Sequence, residues 1–216
     1  EILAEPAARR FTVFIFVSML AYSMQDLILE PFAGLVFAMT PGQSTQLSGL
    51  QHAGVLAGMI VTGIGGSAFA GRLPGQLRGW IVAGCLGSAL ALAGLAMAAQ
   101  IGAGWPLRAN VLALGFANGV FAVAAIGAMM GLAGAGARTR EGVRMGVWGA
   151  AQAIAFGLGG LVGSLGVDAG RRAMGADGAA FALIFAAEGA LFLVAAMLAI
   201  HATRRDTATT RELSPA

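Results

Sequence analysis

The stretch FTVFIFVSMLAYSMQDLILEPFAGLVFAM, residues 11–39, reads as one helix crossing a lipid bilayer. It is long and apolar enough for the roughly 20 residues that a crossing needs. Its exceptions are Gln25, Asp26, Glu30 and Pro31, a polar run inside an apolar span. Five more segments of this kind follow, over residues 46–70, 79–101, 107–133, 143–167 and 176–201. The intervals TPGQST (40–45), GRLPGQLR (71–78), GAGWPLR (102–108), GAGARTREG (134–142) and DAGRRAMG (168–175) carry the Gly, Pro and Arg that end helices. None is long enough for a domain outside the membrane. The sequence thus predicts an all-α polytopic membrane protein, with a six-span bundle over residues 1–202 and a polar cytoplasmic tail over 203–216.

Composition points the same way. Of 216 residues 58% are hydrophobic and 11% are charged, with a mean hydropathy of +0.81; a soluble domain carries about 25% charge. A soluble globular domain and a disordered chain are excluded, and the single Cys85 excludes a disulfide-stapled module. All 13 basic residues are arginines and they form no basic face, so no nucleic-acid partner is expected. They report orientation instead. Ten of them (Arg9, Arg10, Arg72, Arg78, Arg138, Arg140, Arg144, Arg204, Arg205 and Arg211) fall on one side of the alternating spans and three (Arg108, Arg171 and Arg172) on the other. The positive-inside rule then places both termini in the cytoplasm. The start at Glu1, without a signal-peptide pattern, reads as a cut in a longer chain. Six spans with both ends inside match half of a twelve-span transporter, in which each half holds two inverted three-helix repeats. No residue-level repeat links spans one to three with spans four to six.

Polar groups inside a span are costly and are candidates for function. Asp26 and Glu30 are four residues apart and share a helix face. With a cytoplasmic start near Phe11, Asp26 lies about 22 Å along its span, and Gln51 and His52 reach a similar depth in the next. Together they could relay protons, bind a cation, or offer His52 as an axial ligand to a chlorophyll magnesium. The alternative is ordinary hydrogen bonding that locks spans one and two. A second set, Asn118, Gln152 and Glu188, lies roughly 16 to 18 Å from the ends of its spans, where secondary transporters place substrates. Interhelical adhesion is its plainer reading. The cytoplasmic cluster Arg138, Arg140, Glu141 and Arg144 reads as a partner-docking site or a positive-inside anchor.

The letters GIGGSA (63–68) imitate a dinucleotide fingerprint, but they lie inside a span rather than between a strand and a helix. Gly115, Gly119, Gly157, Gly159, Gly160 and Gly163 read as small-residue faces for close helix approach. Trp80, Trp105 and Trp148 lie near span starts and are expected at the membrane interface. No Ser, His and Asp set, Cys pair or phosphate loop appears, so neither an enzyme nor a metal site is expected.

The runs SMQDLILEPFAGLVFAMTPGQSTQLSGLQHAGVLAGM (23–59) and RTREGVRMGVWGAAQAIAFGLGG (138–160) resemble the PucC and LhaA family of photosynthetic bacteria. The resemblance covers most of the chain and implies the C-terminal six-helix half of a major-facilitator-type protein. It further implies a chaperone-like assembly factor for light-harvesting complexes in the intracytoplasmic photosynthetic membrane, with bacteriochlorophyll as its cofactor. The implied partners are antenna polypeptides, the reaction-centre complex and an N-terminal six-helix half. Asp26, Glu30, Pro31, Gln51, His52, Arg138, Arg140, Glu141, Arg144, Trp148 and Gln152 fall within the matching runs. The loop GRLPGQLRG keeps the Gly and Arg of the general facilitator motif, yet Gly71 and Gly75 stand where that motif wants an acidic residue. The competing reading from the polar midplane set is a proton-coupled transporter of a small or amphipathic solute.

Overall fold

A computed structural model describes residues 6–69, 76–134 and 141–204. They form α1 (Pro6–Phe37), α2 (Pro41–Phe69), α3 (Gln76–Ile101), α4 (Leu107–Gly134), α5 (Glu141–Met174) and α6 (Asp177–Arg204), with one 3-10 turn at Gly102–Gly104. Each of the six is long and apolar enough to cross a membrane, and the predicted span count holds.

Several helices run past the spans read from the sequence, two of them for clear local reasons. Helix α2 begins at Pro41 rather than near residue 46. Proline suits a first helical position, and the Thr40 N–H donates to Gln43 Oε1 at 2.9 Å, which is half of a capping box. Helix α5 continues through Asp168, Arg171 and Arg172 to Met174, so most of the DAGRRAMG interval is helical. It ends where Gly175 takes φ +66° and donates its N–H to the Arg171 carbonyl, and Arg171 and Arg172 suit the negative end of the helix dipole. Arg171 Nε also pairs with Asp177 Oδ1 across the turn into α6. Both side chains are about 40% exposed, so Asp177→Asn is expected to change thermal stability by no more than ~1 kcal/mol. A thermal melt of the purified variant checks this.

Packing reveals a symmetry that the residues do not spell out. The most extensive contacts are α2 with α4 and α1 with α5, then α3 with α6 and with α4, then α1 with α6. Exchanging α1 with α4, α2 with α5 and α3 with α6 maps this pattern onto itself. Burial follows it too. In their most apolar stretches α1 and α4 are each 56% buried, α2 and α5 each 28%, and α3 and α6 44% and 39%. Helices α1 and α4 start from opposite sides, so the two three-helix units are inverted repeats of the kind found in transporter halves.

The closest approaches are made by glycine. A Cβ on Gly115 or Gly119 of α4 would run into the carbonyls of Gln51 or Val55 on α2, and one on Gly58 into the carbonyl of Phe116. On the symmetry-related pair, Gly159 meets Ser23 and Gly163 the Met24 carbonyl. Small residues bring helices together in this way where lipid offers no hydrophobic drive between them. Gly157 has open space instead. Trp148 departs from the interfacial role expected of it. It is buried, with its ring edge-on to Phe11 at 4.9 Å, because the tight α1 and α5 contact covers that face of α5.

Candidate functional site

Helices α1 and α2 bring Asp26, Glu30, Ser48 and His52 together on an exposed surface. Asp26, Glu30 and His52 are exposed. Ser48 Oγ donates to Glu30 Oε1 at 3.0 Å, tying the two helices. His52 Nδ1 lies 2.8 Å from the Ser48 carbonyl oxygen. That oxygen can only accept, so Nδ1 donates, and a ring carrying one proton keeps its free lone pair on Nε2. Gln51, one residue away from His52, is buried on the other face of α2, with its backbone carbonyl against Gly115. The polar quartet expected at this depth is therefore divided between two faces of α2.

The second site is a sealed polar layer in the bundle core. Gln25 of α1, Ser88 of α3, Asn118 of α4 and Glu188 of α6 are all fully buried. On α1, Gln25 follows Ser18 and precedes Phe32 by two helical turns, so all three share the core-facing stripe. Phe185, Glu188 and Phe192 form the matching stripe on α6. Toward the end of the bundle where α1 finishes, Phe32 packs against Phe181 and Phe185, with ring centroids 5.3 and 4.9 Å apart. Toward the end where α1 begins, Phe121 packs edge-on against Phe14 and Phe192 at 6.4 and 5.9 Å. Register across α3 agrees, because Gly189 lies against Ala89 and Leu92.

Within this layer Ser88 Oγ donates to Asn118 Oδ1 at 2.7 Å. Asn118 Nδ2, both amide atoms of Gln25 and both carboxyl oxygens of Glu188 have no hydrogen-bond partner. A groove of about 690 Å³ opens elsewhere, between α2, α3 and α4, lined by Gly54, Gly87, Leu90, Asn110 and Phe116. It is mostly apolar, and Asn110 is engaged at its wall with Trp105 and the Ala91 carbonyl.

Gln152 lies apart from this layer. Ser23 and Leu20 of α1 meet Gly159 of α5, which sets Gln152 about three turns closer than Gln25 to the end of the bundle where α1 begins. It is half-buried. The structure adds Gln25 and Ser88 in its place. The two share the helical period of the core stripes, a signal available in the sequence that a search for ionisable groups passes over. Of the charged cluster expected on the cytoplasmic side, Arg138 and Arg140 lie outside the described residues, Glu141 opens α5 and Arg144 is half-buried one turn later. Among the described residues no group of three or more His, Cys, Asp and Glu is arranged to hold a metal ion.

Six apolar helices in two inverted repeats define an integral membrane protein. The sequence model of the PUCC protein family matches residues 1–207, and the chain belongs to that family, as its resemblance implied. It is 55% identical over 199 residues to the bacteriochlorophyll synthase 44.5 kDa chain of Rhodobacter capsulatus, covering 92% of this chain and 45% of that relative. Protein PucC of Rhodobacter capsulatus is 28% identical over 210 residues, which are 94% of this chain and 44% of that protein. Protein PucC of Cereibacter sphaeroides is 30% identical over 161 residues, 73% of this chain and 33% of that protein. The chain thus spans less than half the length of these curated relatives. No solved structure matches it.

Proposed function

We propose that the chain is the C-terminal six-helix half of a membrane assembly factor for bacterial light-harvesting complexes. It holds antenna polypeptides and hands them bacteriochlorophyll in the intracytoplasmic photosynthetic membrane. The observation that carries this reading is the PUCC family match over residues 1–207. The name of the 55% identical relative, which refers to bacteriochlorophyll, supports the link to pigment. The role proposed is a binding one. The polar groups of the core are walled in by aromatic rings, and the exposed cluster pairs one imidazole with carboxylates, without a nucleophile activated by a base.

His52 fits the pigment. Its Nε2 lone pair is free and exposed, and its Nδ1–H is fixed by the Ser48 carbonyl, the arrangement in which a histidine ligates a metal. Leu56 and Ile60, one and two turns along α2, are 59% and 51% exposed and extend an apolar wall from it. His52 Nε2 would hold the pigment's magnesium, and the hydrogen bond from Ser48 to Glu30 ties α1 and α2 together beside it.

The antenna polypeptides and the reaction-centre complex are the partners proposed. Single-span helices suit the outward faces of α2 and α5, where Gly49, Gly63, Gly146, Gly149 and Gly157 have open space above them. On the cytoplasmic side, Arg138, Arg140, Glu141 and Arg144 are the proposed docking residues, with both termini facing the cytoplasm. Gentle detergent purification of the tagged full-length protein from photosynthetically growing cells tests the reading. Co-purifying antenna polypeptides and a bacteriochlorophyll spectrum are expected. A colourless preparation without antenna polypeptides would overturn it.

A further inference from the structure

We propose that the end of α5 binds a phospholipid whose headgroup joins a phosphate to a primary ammonium, of the phosphatidylethanolamine class, with its acyl chains laid along that helix. Two features meet there. The first is an apolar stripe. Ile154, Leu158, Leu161 and Leu165 are exposed, and their spacing of four, three and four residues puts them on one face of α5. The next two steps of the same spacing are Asp168 and Arg172, both exposed. From Ile154 to Leu165 the stripe runs about 16 Å, close to half of a hydrocarbon core of ~30 Å. It has the length of the acyl chains of one leaflet, and it ends in charge where a headgroup begins.

The second feature is a cavity of about 380 Å³ where α5 finishes and α6 begins, lined by Asp168, Arg171, Arg172, Gly175 and Asp177. Arg171 is paired with Asp177. Asp168 and Arg172 stand one turn apart on α5, and among the described residues neither has a hydrogen-bond or ion-pair partner. Arginine is scarce on this side of the spans, with three against ten on the other, so the two gathered here do not serve orientation. A guanidinium grips a phosphate through paired N–H donors, and a carboxylate accepts from a primary ammonium. Two arginines and two aspartates cancel, so the cavity holds no net charge to attract an anionic lipid. A headgroup that carries both signs satisfies Arg172 and Asp168 together. A quaternary ammonium has no N–H to give Asp168, which separates ethanolamine from choline. A partner helix on the same stripe would have to bring a matched acid and base to this one level.

The test uses the full-length protein in phosphatidylcholine vesicles with a trace of photoreactive phosphatidylethanolamine, phosphatidylcholine or phosphatidylglycerol of the same chain length. Peptide mass spectrometry is expected to find residues 154–172 labelled several-fold more by the ethanolamine lipid than by either of the others. Asp168→Asn is expected to bring the ethanolamine lipid down to the level of the choline lipid, and Arg172→Gln to lower its labelling several-fold. Both positions are exposed and helical, and the Arg171 pair with Asp177 is left in place. Equal labelling by the three lipids would overturn the proposal, because the stripe would then meet bulk lipid alone. Heavier labelling by phosphatidylglycerol would overturn it in favour of an anion site. Protection of the peptide from all three by a co-purifying polypeptide would make the face a protein contact, and a preference that survives both variants would place the headgroup elsewhere. The comparison of the three lipids on the wild-type protein stands whether or not the variants accumulate, and it does not depend on pigment binding.

Discussion

Gly119→Val is expected to abolish accumulation of the protein in the membrane. The Cβ of any residue there would meet the Val55 carbonyl and the Met59 nitrogen of α2, which are backbone atoms and cannot rotate away. Helices α2 and α4 form the most extensive contact of the bundle, so the substitution separates them along the whole crossing. Overpacking a well-filled contact costs about 1 to 3 kcal/mol even where side chains can yield. Here they cannot, and a loss of ~3 kcal/mol or more lowers the ratio of folded to unfolded protein over a hundredfold. Gly115→Val, against the Gln51 carbonyl, is expected to behave alike. Gly63→Val and Gly157→Val are the controls, since nothing lies within 4 Å of a Cβ at either position. Membrane abundance and the thermal aggregation temperature in detergent read the contrast. Equal abundance of Gly119→Val and Gly63→Val would show that the two helices are not held by this crossing.

The same glycines show what the sequence can and cannot express. Hydropathy located all six spans, because solvation by lipid acts on each segment separately. Polar helix ends were less legible. A first turn like PGQST or a last turn like DAGRRAM lies where water can serve its side chains, so polarity there does not stop a helix. The inverted repeat was hidden for another reason. It resides in which helices touch and how deeply each is buried, and many different residues satisfy the same packing position. The sequence showed Gly115, Gly119 and Gly157 alike as small-residue faces, although the first two are crossings and the third is open. Composition carries no information on what stands opposite a glycine. Trp148 was placed at the interface on the same footing, before the partner that buries it was known.

The candidate site divides along a similar line. Asp26, Glu30 and His52 were legible as one cluster because equal depth on consecutive helices is simple arithmetic in a membrane. The core layer was only half legible. Depth selected Asn118 and Glu188, but it also selected Gln152, which sits on a helix displaced along its axis relative to α1. Gln25 and Ser88 required the register of α1, α3, α4 and α6, which the interleaved Phe14, Phe32, Phe121, Phe185 and Phe192 supply.

His52→Ala is expected to remove most of the pigment from the purified full-length protein while leaving its abundance unchanged. The side chain is exposed and its one recorded hydrogen bond is to a carbonyl of its own helix, so its loss disturbs no packed contact, and alanine is a good helix former. What disappears is the free Nε2, the nitrogen proposed to hold the pigment's magnesium. Loss of such a ligand is expected to lower the pigment-to-protein absorbance ratio at least tenfold, the equivalent of about 1.4 kcal/mol or more in binding. Free imidazole added to the variant is expected to restore part of the ratio, because the space vacated admits the ring that was removed. Glu30→Gln keeps a hydrogen-bond acceptor for Ser48 and is expected to retain pigment. A His52→Ala protein that still carries wild-type pigment would exclude His52 as the ligand. If antenna polypeptides co-purify with it undiminished, the assembly role would stand without pigment at this position.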